Sequence, residues 1–145
     1  MYWMKNKLPA TTKRVTQNTS PSVNDEIRAQ TLENLNAFQY AGDEAMTERS
    51  KCLDAEWDTE RLLEANAAAM VLVSSILGVR NNRWSLLTLT ISAFMLQHAL
   101  HGWCPSLPLV RKMGVRTAEE INQEKIVLKM MRKDFERKDT EETEE

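Results

Sequence analysis

Three side chains of the kinds that bind metal ions lie within seven residues of one another, in the stretch LQHALHGWCP. These residues are His98, His101 and Cys104. If the stretch is one helix, their spacing places them on one broad face, where imidazole and thiolate groups could bind zinc or copper. A closed structural zinc site usually takes four ligands, and Cys52, the other cysteine, belongs to a different segment. We therefore predict neither a bound metal nor a cofactor, and keep the three residues as candidates for a metal or redox site.

The position of these residues indicates another role, at the end of a membrane helix. An uncharged block runs from Trp84 to Trp103. A helix of about twenty residues rises roughly 30 Å, which is the thickness of the hydrocarbon core of a bilayer. Histidine, glutamine and tryptophan suit its boundary, because their polar atoms reach the headgroups while the rest of the side chain stays in apolar surroundings. We predict a spanning helix with Trp84 and Trp103 at opposite interfaces.

A second, shorter apolar block precedes this one. Between Glu64 and Arg80 the chain carries no formal charge, and about fifteen residues of helix rise roughly 22 Å. Small residues recur along the block, and small side chains let two helices approach closely within lipid. They are Ala65, Ala69, Ser74 and Gly78. The connection RNNR is so short that we predict an antiparallel helical pair packed through these residues.

Basic residues on either side of the pair predict its orientation. The turn has only Arg80 and Arg83, whereas more bases lie outside the pair. The outer bases are Arg49, Lys51, Arg61, Arg111, Lys112 and Arg116. Because cytoplasmic flanks carry the excess of lysine and arginine, both termini are predicted to be cytoplasmic. Arg111 and Lys112 follow the second block directly and are predicted to reach water or lipid headgroups.

The segments around the pair are predicted from charge and periodicity. Residues 1–21 are polar and unpatterned, which predicts a disordered leader, and residues 22–61 predict amphipathic helices. Residues 62–116 form the predicted hairpin and its exit segment. Thr117 and Glu120 predict a capping box at the start of a basic amphipathic helix over 117–138, and residues 139–145 form an acidic tail.

The terminal helix carries a row of lysines at four-residue spacing, Lys125, Lys129 and Lys133. Beside a cytoplasmic leaflet each base gains about 1 kcal/mol from anionic lipid. The alternative partner is the stretch 43–64, which has eight acids and three bases. We therefore predict that this helix binds either anionic lipid or the acidic helix.

Several classes of function are disfavoured because their motifs are missing from the sequence. It contains no glycine-rich phosphate loop, no G-x-S-x-G, no H-E-x-x-H and no C-x-x-C. The net charge is −2 and the bases are not interleaved with aromatic residues, which argues against binding to nucleic acid. The first residues lack the apolar core of a secretory signal. We predict a protein that is not an enzyme.

Two short motifs border the apolar pair, an acid-x-x-Arg motif before it and a Gly-x-Cys-Pro motif after it. Their residues, with a later glycine, are Asp58, Arg61, Gly102, Cys104, Pro105 and Gly114. In this pattern the chain resembles, over residues 58–116, the YgaP-like inner-membrane transmembrane domain, a family of unknown function. The resemblance implies a membrane location and a capacity to dimerise. Some members carry a rhodanese domain whose cysteine lies in a loop of backbone amides; this chain has no such loop, so that activity is not transferred to its cysteines.

Together these patterns predict an all-α fold in which a two-helix transmembrane hairpin is flanked by amphipathic cytoplasmic helices. The predicted protein is a small anchor or adaptor of the bacterial inner membrane that presents its cytoplasmic helices to a partner. Its predicted partners are membrane lipid, a second copy of the chain, or another membrane or cytoplasmic protein. One alternative is a soluble helical protein with a metal or redox site at the two histidines and Cys104. A pore or carrier would need oligomerisation, because two helices enclose no pathway.

Overall fold

The computed structural model describes residues 8–133, and all regular secondary structure in that range is helical. The prediction of an all-α chain is confirmed for these residues. The helices are α1 (Arg14–Gln17), α2 (Pro21–Phe38), α3 (Asp43–Ala55), α4 (Thr59–Gly78), α5 (Arg83–His101), α6 (Leu107–Lys112) and α7 (Ala118–Met131). The predicted acidic tail over 139–145 and the end of the predicted basic helix, 134–138, lie outside the described residues.

Helices α4 and α5 pack side by side and run antiparallel, joined by residues 79–82. The hydroxyl oxygen of Ser74 lies 2.7 Å from that of Thr88. A Cβ atom added to Gly78 would lie 3.0 Å from the side-chain oxygen of Ser85. Ser74 and Gly78 therefore face α5, and their small size permits the close approach of the two helices.

Ala65 and Ala69 do not share this packing face, although the sequence predicts that they do. Both are exposed, whereas the face that α4 turns toward protein passes through Leu63, Ala67 and Ser74. Ala65 and Ala69 each lie two residues from Ala67, and two residues correspond to a rotation of about 200° around an α-helix. The two alanines therefore lie on the outer surface of the pair.

The outer surface of the α4–α5 pair is apolar and exposed. Within residues 8–133 one helical stretch, Asp43–Gly78, contains a window long and apolar enough to cross a membrane, and only 11% of that window is buried. Because α3 is highly charged and ends at Ala55, the apolar window belongs to α4. Large apolar residues on the pair that are more than half exposed include Leu72, Val73, Ile76, Leu86, Leu89 and Leu96.

Helices α2, α3 and α7 form a second group, which we call the three-helix unit. Its buried cluster consists of Leu35, Met46, Leu53, Ile121 and Leu128. Met46 and Leu53 are seven residues apart, as are the two α7 members, so each pair lies on one face of its helix. Trp57, which helical spacing places on the Met46 stripe, instead follows the end of α3 and is about half exposed.

Helices α1 and α6 connect the two groups. Val15 of α1 shares a buried cluster with Leu63 of α4, with Leu107 and Val110 of α6, and with Cys104. The sequence predicts a disordered leader over 1–21. Residues 1–7 lie outside the described residues, and the prediction is corrected for residues 14–17, which form α1, and for Pro21, which starts α2. Helix α1 forms because this cluster buries the apolar side chain of Val15, which stabilises an otherwise polar segment.

Candidate functional site

The two ends of the segment that carries the α4–α5 pair meet at Thr59. Its backbone N–H donates to the carbonyl oxygen of Arg116 at 2.8 Å. Its hydroxyl donates to the carbonyl oxygens of Arg116 and Val115, at 3.0 and 3.1 Å. Thr59 is fully buried, so water does not compete for these bonds. We call this junction the base of the pair; it is the end at which both flanks of the chain leave α4 and α5.

Asp58 and Arg61, the first sequence motif, start α4. The Asp58 carboxylate accepts a hydrogen bond from the backbone N–H of Arg61 at 2.7 Å, which satisfies one of the donors that the first turn of a helix leaves open. The Arg61 guanidinium lies over the Trp57 ring, 4.6 Å from its centroid, a geometry that favours a cation on an indole face. The motif therefore caps α4 and places a cation and an indole at the base of the pair.

Gly102, in the second motif, ends α5 in the left-handed conformation, with φ of 77°. Its N–H donates to the His98 carbonyl oxygen at 2.7 Å, which satisfies one of the acceptors left open at a helix C-terminus. A Cβ atom here would lie 2.5 Å from the carbonyl oxygen of Arg14. Glycine is therefore required both by the backbone conformation and by the close approach of α1.

Helix α1 covers the end of α5 with side-chain donors. Arg14 donates to the Ala99 carbonyl oxygen, and Asn18 donates to that of His101, both at 2.8 Å. Arg14 also donates to the Glu60 carboxylate of α4 at 2.6 Å. Two carbonyl groups without intrahelical partners are thereby satisfied, and α1 joins the start of α4 to the end of α5.

The remaining motif residues shape the path from α5 to α7. Cys104 is buried in the cluster shared by α1, α4 and α6, and Pro105 is exposed two residues before the start of α6. Gly114 ends α6 with φ of 80°, and its N–H donates to the Arg111 carbonyl oxygen at 3.0 Å. These residues therefore contribute packing and tight turns to the described structure.

The three candidate metal ligands are not assembled into a site. Within residues 8–133 no group of three His, Cys, Asp or Glu side chains is placed to hold a metal ion. His101 is exposed, whereas His98 is buried and neither of its ring nitrogens has a hydrogen-bond partner among the described residues. The three side chains would share one face only on a continuous helix, but Gly102 ends α5 before Cys104.

Arg111 is buried in protein, and its predicted position among headgroups is wrong. Only 1% of it is exposed, and its two terminal nitrogens donate to both carboxylate oxygens of Glu120, at 2.7 and 2.8 Å. It also donates to the Val115 carbonyl oxygen and to the side chains of Asn24 and Thr19. This bidentate pair, with its neutral acceptors, fixes α6 against the start of α7 and against α2.

Glu120 belongs to the capping box of α7, as the sequence predicts. Its carboxylate accepts from the Thr117 backbone N–H at 2.7 Å, and the Thr117 hydroxyl accepts from the Glu120 N–H at 3.2 Å. Burial alone would raise the pKa of Glu120, but hydrogen bonds from Arg111 and Thr117 and the charge of Arg111 hold this pKa below its ordinary value.

Acid is expected to weaken this junction only below the ordinary pKa of a glutamate. Because the folded-state pKa of Glu120 is depressed, its stabilising contribution is complete above about pH 4.5 and is lost as the pH falls through the folded-state value. Glu120→Gln should therefore lower the free energy of unfolding at pH 7, and its difference from the wild type should shrink below pH 4.5. Urea unfolding in detergent at a series of pH values measures this. A difference independent of pH would contradict the assignment.

Glu124 of α7 is buried between two arginines. Its carboxylate accepts from Arg116 and, at 2.9 Å, from Arg49 of α3. Arg116 also donates to both carboxylate oxygens of Glu56, at 2.8 and 2.5 Å. Burial alone would lower the pKa of Arg116, but the hydrogen bonds and charges of Glu56 and Glu124 raise this pKa above its ordinary value. The network joins the base of the pair to the three-helix unit.

This network was not predicted, although the sequence contains one signal for it. Glu124 lies three residues after Ile121 and four before Leu128, both buried, so the helical period already places its carboxylate on the buried face of α7. Its partner Arg49 is 75 residues away in the chain. Pairing over that distance depends on how α3 packs on α7, which local spacing does not encode.

The predicted row of lysines lies in different surroundings. Lys125 pairs with Asp54 of α3, which agrees with the alternative of pairing between the basic and acidic helices. Lys129 is partly buried, and Lys133 follows the helix with φ of 59°. A further bond joins α7 to α3, from Arg132 to the Thr47 hydroxyl.

The other predicted interface residues are exposed at the two ends of the pair. Trp84 lies in the first turn of α5, close to the connection, and is 40% exposed. Trp103 and Lys112 are exposed at the opposite end, which is the base of the pair. The positions of both tryptophans are compatible with the opposite interfaces that the sequence predicts.

Comparison with protein families identifies the segment that contains the α4–α5 pair and its base. Residues 58–120 match the family described as inner membrane protein YgaP-like, transmembrane domain. The chain carries a YgaP-like transmembrane domain. The resemblance inferred from the two motifs is confirmed, and the chain is a membrane protein. No significant match is found among curated proteins or among solved structures.

The limits of the YgaP-like domain coincide with structural features. It begins at Asp58, which caps α4, and ends at Glu120, the bidentate partner of Arg111. It therefore contains α4, α5, α6 and the base of the pair, together with the first turn of α7. Helices α1, α2 and α3 and most of α7 lie outside the matched residues.

Proposed function

We propose that the YgaP-like domain anchors this chain in the bacterial inner membrane, with α4 and α5 crossing the bilayer as a hairpin. The observation that carries the proposal is the exposed apolar surface of the pair, with only 11% of the α4 window buried. A helix in the core of a soluble protein buries its apolar residues. α4 and α5 have 20 and 19 residues, which rise about 30 Å and match the hydrocarbon thickness.

Three hydroxyl groups in the middle of α5 are compatible with a lipid environment. Hydrocarbon supplies no hydrogen bonds, so each hydroxyl needs a partner within the protein. Thr90 donates to the Leu86 carbonyl oxygen, and Ser92 donates to that of Thr88, both at 2.9 Å. Thr88 itself lies against Ser74 of α4. These hydroxyls can therefore lie at membrane depth without an unsatisfied donor.

The charges at the two ends support an orientation with both termini in the cytoplasm. Bases at the base of the pair outnumber those at the connection, where Arg80 and Arg83 lie. The basic residues at the base of the pair are Arg61, Arg111, Lys112 and Arg116. Positive residues collect on the cytoplasmic side of inner-membrane helices, so we assign the base of the pair to the cytoplasm and the connection to the opposite side.

We further propose that the three-helix unit acts as a non-enzymatic adaptor surface that holds a partner at the membrane. It is joined to the base of the pair by the bidentate Arg111–Glu120 pair and by the buried contact of Arg116 with Glu124. Such buried charge pairs have defined geometry, so a protein bound to the unit would be held at a fixed position. A second copy of the chain, or another membrane or cytoplasmic protein, is the proposed partner.

Cysteine labelling tests the anchor and its orientation together. Cys52 is exposed on α3, and Cys104 is buried, so the natural Cys52 thiol reports on the three-helix unit. A membrane-impermeant maleimide added to spheroplasts should label Asn81→Cys in a Cys52→Ser background, and should label wild-type Cys52 only after permeabilisation. Labelling of Cys52 in intact spheroplasts would contradict the orientation. Release of the protein from membranes by alkaline carbonate would contradict the hairpin anchor.

A further inference from the structure

Helix α6 has two faces with different surroundings. Leu107 and Val110 point into the cluster with Val15 and Leu63, whereas Leu109 is 65% and Met113 69% exposed. The exposed pair is spaced by four residues, so the two side chains lie together on one edge. We call this edge, with the exposed Lys112 between the two apolar residues, the outer edge of α6.

The outer edge lies at the depth where the pair leaves the membrane, if the proposed function holds. α6 packs on Leu63, which belongs to the first turns of α4. Trp103, two residues after the end of α5 and four before the start of α6, is exposed. Trp57, two residues before the start of α4, is also exposed. Tryptophan accumulates at the boundary between lipid and water, so the two indoles place the base of the pair, against which α6 packs, at that boundary.

The charge at this edge favours an anionic lipid surface. No acidic residue occurs in the sequence between Glu64 and Glu119. Arg111 is neutralised by Glu120 within the protein, but Lys112 has no ionic or hydrogen-bonded partner among residues 8–133. A lysine on a long apolar stem can extend its ammonium group to a headgroup while its neighbours stay in the acyl boundary.

We propose that the outer edge of α6 docks into the cytoplasmic leaflet, with Leu109 and Met113 in the acyl boundary and Lys112 on the phosphate of an anionic phospholipid. This inference rests on the proposed hairpin anchor and adds a second, peripheral contact with the bilayer. Because Arg111 ties α6 to Glu120 of α7, the docked edge would hold the three-helix unit against the membrane surface. Lipid binding then belongs to α6, where the sequence already predicts Lys112 near the headgroups, whereas α7 pairs with α3 through Lys125 and Asp54.

Spin-label accessibility in nanodiscs tests this placement. Single labels are introduced at Leu109→Cys and Met113→Cys in the Cys52→Ser full-length chain, which without an added cysteine should take up no label because Cys104 is buried. The discs contain phosphatidylcholine with or without one-third phosphatidylglycerol. In anionic discs the ratio of oxygen to nickel-chelate accessibility at both labels should be severalfold higher than in water-exposed positions. Leu32→Cys, an exposed leucine of the three-helix unit, supplies the matched control.

The outcomes separate this inference from the proposed function. A label at Leu96→Cys, on the outer surface of α5, reports whether the hairpin lies in lipid. A lipid signal at Leu96 with a water signal at Leu109 and Met113 would overturn the docking of α6 alone, whereas a water signal at Leu96 would overturn the hairpin anchor. The labels at Leu109 and Met113 should lie deeper in anionic discs than in neutral discs, because Lys112 binds the anionic phosphate. Lys112→Gln should abolish this difference. An unchanged difference would overturn the role of Lys112.

Discussion

Replacing Glu124 by glutamine is expected to lower the free energy of opening of α7 by about 3–5 kcal/mol, the usual cost of removing one partner from a buried ion pair. The Glu124 carboxylate is fully buried and accepts from Arg49 and Arg116. Glutamine keeps the size of the side chain but removes its charge, so the two guanidinium groups lose their shared counterion. Hydrogen exchange of the α7 amides in nanodiscs measures the change, and rates should rise more than a hundredfold, because 1.4 kcal/mol corresponds to a factor of ten.

A glutamate on the same helix supplies the control for this substitution. Glu119 pairs with Lys13 at 2.8 Å on the exposed side of α7, and exposed pairs contribute about 0–1 kcal/mol. Glu119→Gln should therefore change exchange by less than about tenfold. Equal effects of the two variants would show that the Glu124 network does not stabilise the three-helix unit. Slower exchange in Glu124→Gln would contradict the energetic argument outright.

Gly102→Ala is expected to detach α1 from the end of α5. An alanine in the left-handed conformation costs about 1–2 kcal/mol, and its Cβ atom would lie 2.5 Å from the Arg14 carbonyl oxygen. Relieving that overlap requires backbone movement, which adds about 1–3 kcal/mol. Limited proteolysis with trypsin detects the result, because cleavage after Lys13 and Arg14 should accelerate once the α1 contacts are lost.

Gly114→Ala is the control variant, because it introduces left-handed backbone strain without a steric overlap like that between Gly102→Ala and Arg14. Gly114 has φ of 80°, but only the Gln30 side chain lies within 4 Å of the position of an added Cβ atom. This variant should lose only the about 1–2 kcal/mol of left-handed strain, and α1 should remain protected from trypsin. If trypsin cuts both variants at the wild-type rate after Lys13 and Arg14, the contact of α1 with α5 is not what orders this segment.

Local sequence signals predicted the features that depend on neighbouring residues. The capping box of Thr117 and Glu120 is present because its bonds join residues three apart. The two apolar blocks predicted helices, and α4 and α5 occupy them, since their length and composition do not depend on the rest of the chain. The motif around Asp58 and Gly102 led to the correct family for the same reason.

The predictions were wrong for side chains that could contact lipid, water or residues distant in sequence. Arg111 was predicted to reach headgroups, but Glu120 and Asn24 offer it bidentate and neutral hydrogen bonds inside the protein. Ala65 and Ala69 have the size required for helix packing, but the rotation of α4 about its axis turns them outward. Composition cannot specify that rotation, because a small residue is compatible with either face.

By itself, the sequence determined that residues 8–133 are all-helical, that they contain an antiparallel apolar pair, and to which family the central segment belongs. Helix formation and apolar length are properties of contiguous residues. Tertiary structure alone decided that α1 covers the end of α5 through Arg14 and that Glu124 is shared by Arg49 and Arg116. These contacts join residues that are many positions apart, and their energies exist only once the helices have packed and excluded water.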